Sequence, residues 1–185
     1  MSFLSLIYNH WHIYGSDIQN GAVVLSAIAA FVVIRSARIN AKKRNTLDLI
    51  LHQESDKELI EERIKFNEIK GGDIRLAIYG KPDKRNSDEA QTIRKVLNLH
   101  ELTAVAIEEG VIDENVYRRW FNSTYIADYE ATKAYIGEAR KTYSNPFAFH
   151  EFERAALRWQ TDQSWYSRHG WFQRKYEALQ RLLRA

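Results

Sequence analysis

From Ile18 to Ile34 the chain reads IQNGAVVLSAIAAFVVI without a charge, and beyond it apolar residues return only at helical spacing among acids and bases. As a helix this run extends for about 25 Å at ~1.5 Å per residue, slightly short of a bilayer core of about 30 Å. The preceding stretch, Phe3 to Ser16, is also uncharged and carries Tyr8, Trp11 and Tyr14, ring types that settle at the membrane interface. The pattern predicts a short outside segment over 1–17 and a transmembrane helix over 18–34.

Arg35, Arg38, Lys42, Lys43 and Arg44 follow at once, whereas everything before them contains no Lys or Arg and a single acid, Asp17. The positive-inside rule then sets the N-terminus outside and the remainder in the cytoplasm, with this basic cluster at the membrane surface. A cleaved signal peptide is the rival reading, and Ala27-Ile28-Ala29 offers a small-x-small site. It lacks a basic n-region, however, and the apolar run continues past that site through Phe31 to Ile34 into a basic flank. A buried core helix ranks lower, because it leaves the lysine-free length and the abrupt basic boundary without a cause. Ala22, Ser26 and Ala30 recur every four residues, a spacing that lets two membrane helices pack closely. Plain lipid-facing positions account for them equally well.

No breaker interrupts Ser36 to Gln53, so the anchor is expected to continue as a basic juxtamembrane helix over 35–54. Ser55-Asp56-Lys57-Glu58 reads as a capping box that starts a second helix, carrying Leu59, Ile60, Ile64, Phe66 and Ile69 and closed at Gly71-Gly72 by a left-handed glycine. Residues 71–87 form the main loop, with a short helix around 73–79. Ser87 caps a long helix through Ile93, Val96, Leu97, Leu99, Leu102, Val105 and Ile107, ended by Gly110. Its apolar positions cover more than one stripe, which predicts neighbours on two sides. Asp113 caps the next helix, through Trp120, Phe121, Tyr125, Ile126, Tyr129 and Ile136 to about Tyr143. Asn145-Pro146 supplies an N-cap and a first-turn proline for another, with Phe147, Phe149, Phe152, Ala156, Leu157 and Trp159. A last amphipathic segment, WFQRKYEALQRLLRA, ends the chain. The cytoplasmic domain is thus expected over 55–185 as a bundle of about five helices.

Composition agrees: two prolines and eight glycines in 185 residues leave long uninterrupted stretches of helix formers, so the fold class is all-α. The absence of cysteine excludes disulfides, thiolate metal sites and a thiol nucleophile. With 27 Lys plus Arg against 24 Asp plus Glu the net charge is only +3, and nucleic acid is not an expected partner.

Recognisable chemistry is sparse. His100-Glu101 and His150-Glu151 begin the metalloprotease pattern His-Glu-x-x-His, but the closing position holds Ala104 or Arg154. The residue three before each histidine is never Glu, which excludes the carboxylate-bridged di-iron motif, and Gly80-Lys81-Pro82 does not fit a phosphate loop. Neither a metal nor a cofactor is expected. The remaining candidate is a buried polar site at Asn98, His100 and Glu101 on the most apolar helix. The spacing of Glu101 from Leu97 and Val105 turns its carboxylate inward, where an ion needs a partner; Arg94, Arg118, Arg119 and Arg154 are the cations within reach. A register-fixing Glu–Arg pair is the plainer expectation and a ligand-binding acid the sharper one. The C-terminal rings Trp159, Trp165, Tyr166, Trp171, Phe172 and Tyr176, interleaved with basic residues, are a mixture that suits nucleic acid or anionic lipid, but the plainer expectation is that the rings complete the core while the bases face water.

The segments Thr46-Leu-Asp-Leu-Ile-Leu51, Glu89 to Leu102, Glu108-Glu-Gly-Val-Ile-Asp113, Tyr117-Arg-Arg-Trp-Phe121 and the late Asn145-Pro146 with Phe149 and Phe152 occur in a distinctive order and spacing. In this the stretch 46–159 resembles a family of uncharacterised, mostly bacterial and phage proteins in which one membrane helix precedes a compact helical domain of unknown function. The resemblance implies architecture and a bacterial plasma membrane, and carries over no reaction or catalytic residue. The expected function is a membrane-tethered, non-enzymatic interaction module that binds another protein or itself. The alternatives are a ligand-binding or hydrolytic enzyme using Glu101 and His100, and, by analogy with the phage occurrence, an envelope factor affecting infection.

Overall fold

A computed structural model describes residues 3–72 and 75–162, with side chains from Asn20 onward. Its described residues are helical without a strand: α1 is Phe3–Ser55, α2 Lys57–Gly71, α3 Asp88–Glu108, α4 Glu114–Thr142 and α5 His150–Thr161, with a 3₁₀ turn at Leu76–Gly80. They fall into two compact units, Met1–Arg44 and Asn45–Ala185. The C-terminal amphipathic segment and its tryptophans after Asp162 lie outside the described residues, as do residues 73–74 of the expected short helix.

The first unit is helical from Phe3, and every side chain from Asn20 to Ala41 is exposed, including Leu25 at 69% and Phe31 at 65%. Among the described residues one helix, α1 from Asn20 to Ser55, is long and apolar enough to cross a membrane. Ala22, Ser26 and Ala30 are exposed along it, as are Arg35, Arg38, Lys43 and Arg44, with Lys42 half-buried.

In the second unit the helix starts follow local chemistry, though not always as the sequence suggests. The break after α1 is a single extended residue, Asp56, whose carboxylate accepts the Leu59 amide at 3.0 Å. Ser55, expected to be the cap, instead donates its hydroxyl to the Leu51 carbonyl at 2.7 Å and ends α1. Aspartate caps at least as well as serine, and it is charged beside the positive helix end. Helix α2 does stop at the glycine pair, but Gly72 is extended (φ −76°), not left-handed, and closes on the Ile69 carbonyl. Ser87 and Asp113 cap α3 and α4 as expected, and Gly110 takes φ 69° after α3. Asn145 does not open α5: its side chain accepts the Phe147 amide in a tight turn, and the helix starts only at His150, after Phe149 at φ 58°.

Helix α3 packs against α2 and α5, and α4 against α5 and the 3₁₀ turn. Where α3, α4 and α5 meet, Tyr125 is central, its ring 4.8 Å from Phe152 and 4.5 Å from Trp159. All three are buried, and burial of each large side chain is worth about 2–3 kcal/mol. Not every apolar position of the pattern reaches this core. Leu102, Val105, Ile64, Trp120 and Leu157 are exposed, because α2, α4 and α5 each bury one face and the stripe on α3 is narrower than its sequence suggests, and Phe147 is exposed in the turn before α5.

Candidate functional site

The structure separates the neighbours His100 and Glu101, since adjacent residues of a helix point about 100° apart. Glu101 faces α5, half-buried, and receives the backbone amides of Glu151 at 3.3 Å and Phe152 at 2.7 Å. It meets no expected arginine. These are first-turn amides of α5, whose N-cap position is occupied by Phe149 with no side-chain acceptor, so a carboxylate from α3 does what a local cap does elsewhere.

The four arginines are dispersed. Arg118 is buried and donates to Asn122 Oδ1 at 2.8 Å and to the Trp159 carbonyl at 2.8 Å, closing the C-terminal end of α5. Arg154 pairs with Glu108 at 3.2 Å on the surface. Arg94 donates to the Arg85 carbonyl and to the Tyr143 hydroxyl, and Arg119 is exposed. Asn98 is exposed as well. The polar residues singled out on α3 therefore do not converge on one site.

His100 is buried and belongs to a different group. Its Nε2 lies 3.1 Å from Asp128 on α4, and the other carboxylate oxygen of Asp128 takes Lys70 of α2 at 2.7 Å, so three helices meet at one ionic centre. The imidazole is stacked on Phe152 at 4.8 Å and edged by Tyr125 at 4.8 Å, which fixes its plane. Burial alone would raise the Asp128 pKa, but the hydrogen bond and charge of His100, joined by Lys70, outweigh it and hold the carboxyl below its ordinary value of 3.8.

His100 and Asp128 also line a cavity of about 450 Å³, with Gln53 from the end of α1 and side chains of α2, α3 and α4. Leu59, Leu99 and Phe121 give it apolar walls. Gln53 is 1% exposed; its Oε1 accepts the Tyr117 hydroxyl at 3.2 Å, and its Nε2 has no partner. Burial pushes the Tyr117 phenol up to about 12, so it stays protonated and donates. Gln53, Lys70, Tyr117 and Asp128 were missed in the sequence, yet a signal exists for two of them. Asp128 lies between Tyr125 and Thr132 at helical spacing on the buried face of α4, and Gln53 continues the buried row of Thr46 and Ile50. Among the described residues no cluster of three or more His, Asp or Glu side chains is arranged to hold a metal ion.

Residues 20–159 match the family model DUF4760, a domain of unknown function, so the match takes in both the apolar stretch of α1 and the helical unit as far as Trp159. No curated protein and no solved structure matches the chain. With the family model covering most of its length, the chain belongs to the DUF4760 family.

Proposed function

We propose that the protein is a single-pass membrane protein, N-terminus outside, whose helical unit works at the cytoplasmic face of a bacterial plasma membrane as a non-enzymatic interaction module. The carrying observation is the run of exposed side chains from Asn20 to Ala41, uncharged and mostly apolar through Ile34. Exposing Leu25, Phe31 and Val33 to water at about 25 cal/mol per Å² is a cost that a bilayer removes. The charge boundary at Arg35 supports the orientation.

The module reading is supported by what the candidate residues do. Glu101 and Arg118 hold the two ends of α5, which is structural work, and Trp120, Leu102 and Leu157 stay exposed at 62%, 65% and 43%. Such residues suit contact with another protein or a second copy of the chain.

The cysteine-free chain makes the test direct. Single cysteines at Ser5 and at Lys133 are labelled with a membrane-impermeant maleimide in intact cells and after permeabilisation. The expected pattern is Ser5→Cys labelled in intact cells and Lys133→Cys only after permeabilisation. The reverse pattern overturns the orientation, and release of the protein by alkaline carbonate overturns the anchor. Cross-linked partners or dimers recovered from full-length protein in mild detergent support the module, and a strictly monomeric, partner-free protein counts against it.

A further inference from the structure

The cavity between the end of α1, α2, α3 and α4 combines apolar walls with a few buried polar groups. Its volume of about 450 Å³ falls within the range of small-ligand pockets, roughly 300–1,000 Å³. The walls are apolar, and the charges around them are already matched. At the mouth Lys95 meets Glu62 at 2.8 Å and Glu58 at 3.8 Å, and Arg63 meets Glu54 at 2.8 Å. At the floor Asp128 is held by both Lys70 and His100. A charged ligand therefore finds no counter-ion to repay its desolvation.

Two polar atoms of the lining residues are left over: Nδ1 of His100, whose ring is held between Phe152 and Tyr125, and Nε2 of Gln53. The Gln53 amide is buried and fixed by Tyr117, and it keeps an N–H donor with no acceptor. A buried donor without a partner costs about 1–3 kcal/mol, so a core position that needed only bulk would be better served by leucine or methionine. We propose that this cavity binds an uncharged, largely apolar small molecule carrying one carbonyl or similar acceptor, which receives the Gln53 N–H while Leu59, Leu99 and Phe121 enclose the apolar body.

The probe is prodan, an uncharged naphthyl ketone, titrated into full-length protein in lipid nanodiscs and followed by the methyl resonances of leucine and valine. The expected result is saturable shifts at Leu59, Leu99 and Leu102. Gln53→Leu should weaken the ketone about fivefold, the loss of one hydrogen bond, and leave the matching hydrocarbon propylnaphthalene unchanged. Leu99→Phe, which fills the cavity, should abolish binding of both. If that variant does not fold, Leu102→Trp at the exposed rim tests the same point. Shifts confined to Val23 and Val33, the lipid-exposed methyls, overturn the site. Ketone affinity unchanged by Gln53→Leu overturns recognition through the amide. A naphthalene sulfonate that binds as tightly as the ketone overturns the uncharged class.

Discussion

The carboxylate of Glu101 on α3 receives the backbone amide of Phe152 on α5 at 2.7 Å, and so joins two helices by capping one with a side chain of the other. A cap supplied from a distance ties formation of α5 to its docking on α3. Glu101→Ala leaves the first-turn amides without an acceptor, and is expected to lower stability by about 1–2 kcal/mol. Glu101→Gln keeps an acceptor but loses the charge beside the helix end, and should fall between the two. Hydrogen exchange supplies the check: the amides of Glu151 and Phe152 should exchange faster in the alanine variant. Unchanged protection there would show that the cap is incidental.

The centre at Asp128 makes stability depend on acid. Its carboxyl titrates below its ordinary value of 3.8 in the folded protein, so above that value the group contributes its full stabilisation. As pH falls through 3.8 toward the folded pKa, the unfolded chain takes up the proton first and the contribution is lost. Asp128→Asn should cost about 2 kcal/mol at neutral pH, because the amide keeps one acceptor oxygen where His100 and Lys70 use two and the negative charge between them is lost, and the deficit should shrink below pH 3.8. Denaturation midpoints of both proteins across that range test the prediction. Parallel curves with a constant gap would rule out the linkage.

The long apolar helix of the first unit is readable because its signal is local: an uncharged run of helix formers with no breaker, ended by a basic flank. The helices of the second unit are readable for a similar reason, since Ser87, Asp113 and Gly110 act within their own turn of chain. What the sequence conceals is whatever depends on a distant partner. Glu101 reads as an inward acid in need of an arginine, but the half-buried carboxylate meets backbone amides of α5, and a backbone partner carries no sequence signature. Asn145-Pro146 reads as a helix start because it has the right residues, while the helix begins later at an aromatic residue whose cap comes from α3. The cavity is harder still. Gln53, His100, Tyr117 and Asp128 come from three helices, and only packing reveals that they share a space.

Two glycines in the second unit should respond to alanine with opposite signs. Gly80 closes the 3₁₀ turn against α4, where a Cβ would lie 2.9 Å from both the Glu138 Cβ and the Tyr135 carbonyl oxygen, and the Thr142 hydroxyl holds its carbonyl at 2.7 Å. The obstruction includes backbone, so it does not yield easily, and Gly80→Ala is expected to cost about 2 kcal/mol. Gly137 lies within α4 with nothing inside 4 Å of its would-be Cβ. There alanine removes unfolded-state freedom and favours helix, for a gain of about 0.5–1 kcal/mol. Thermal melts of the two variants should move in opposite directions; a stabilised Gly80→Ala would contradict the close approach there, and a destabilised Gly137→Ala the open space around α4.

Backbone strain gives a last pair. Ser144 and Phe149 both occupy positive φ, at 50° and 58°, on the connection between α4 and α5. A residue with a side chain is disfavoured there by about 1 kcal/mol relative to glycine. Ser144 is exposed, so Ser144→Gly relieves the strain without removing packing; set against the greater freedom of unfolded glycine, a net gain of about 0.5 kcal/mol is expected. Phe149 has the same backbone need but its ring is buried in the core. Phe149→Gly relieves a similar strain and deletes an aromatic side chain whose loss costs about 3 kcal/mol, so it should destabilise by about 2 kcal/mol. Denaturation of the two variants measures the balance. A stabilised Phe149→Gly would mean that its ring contributes little to the core, and a destabilised Ser144→Gly would mean that the turn needs serine for more than its conformation.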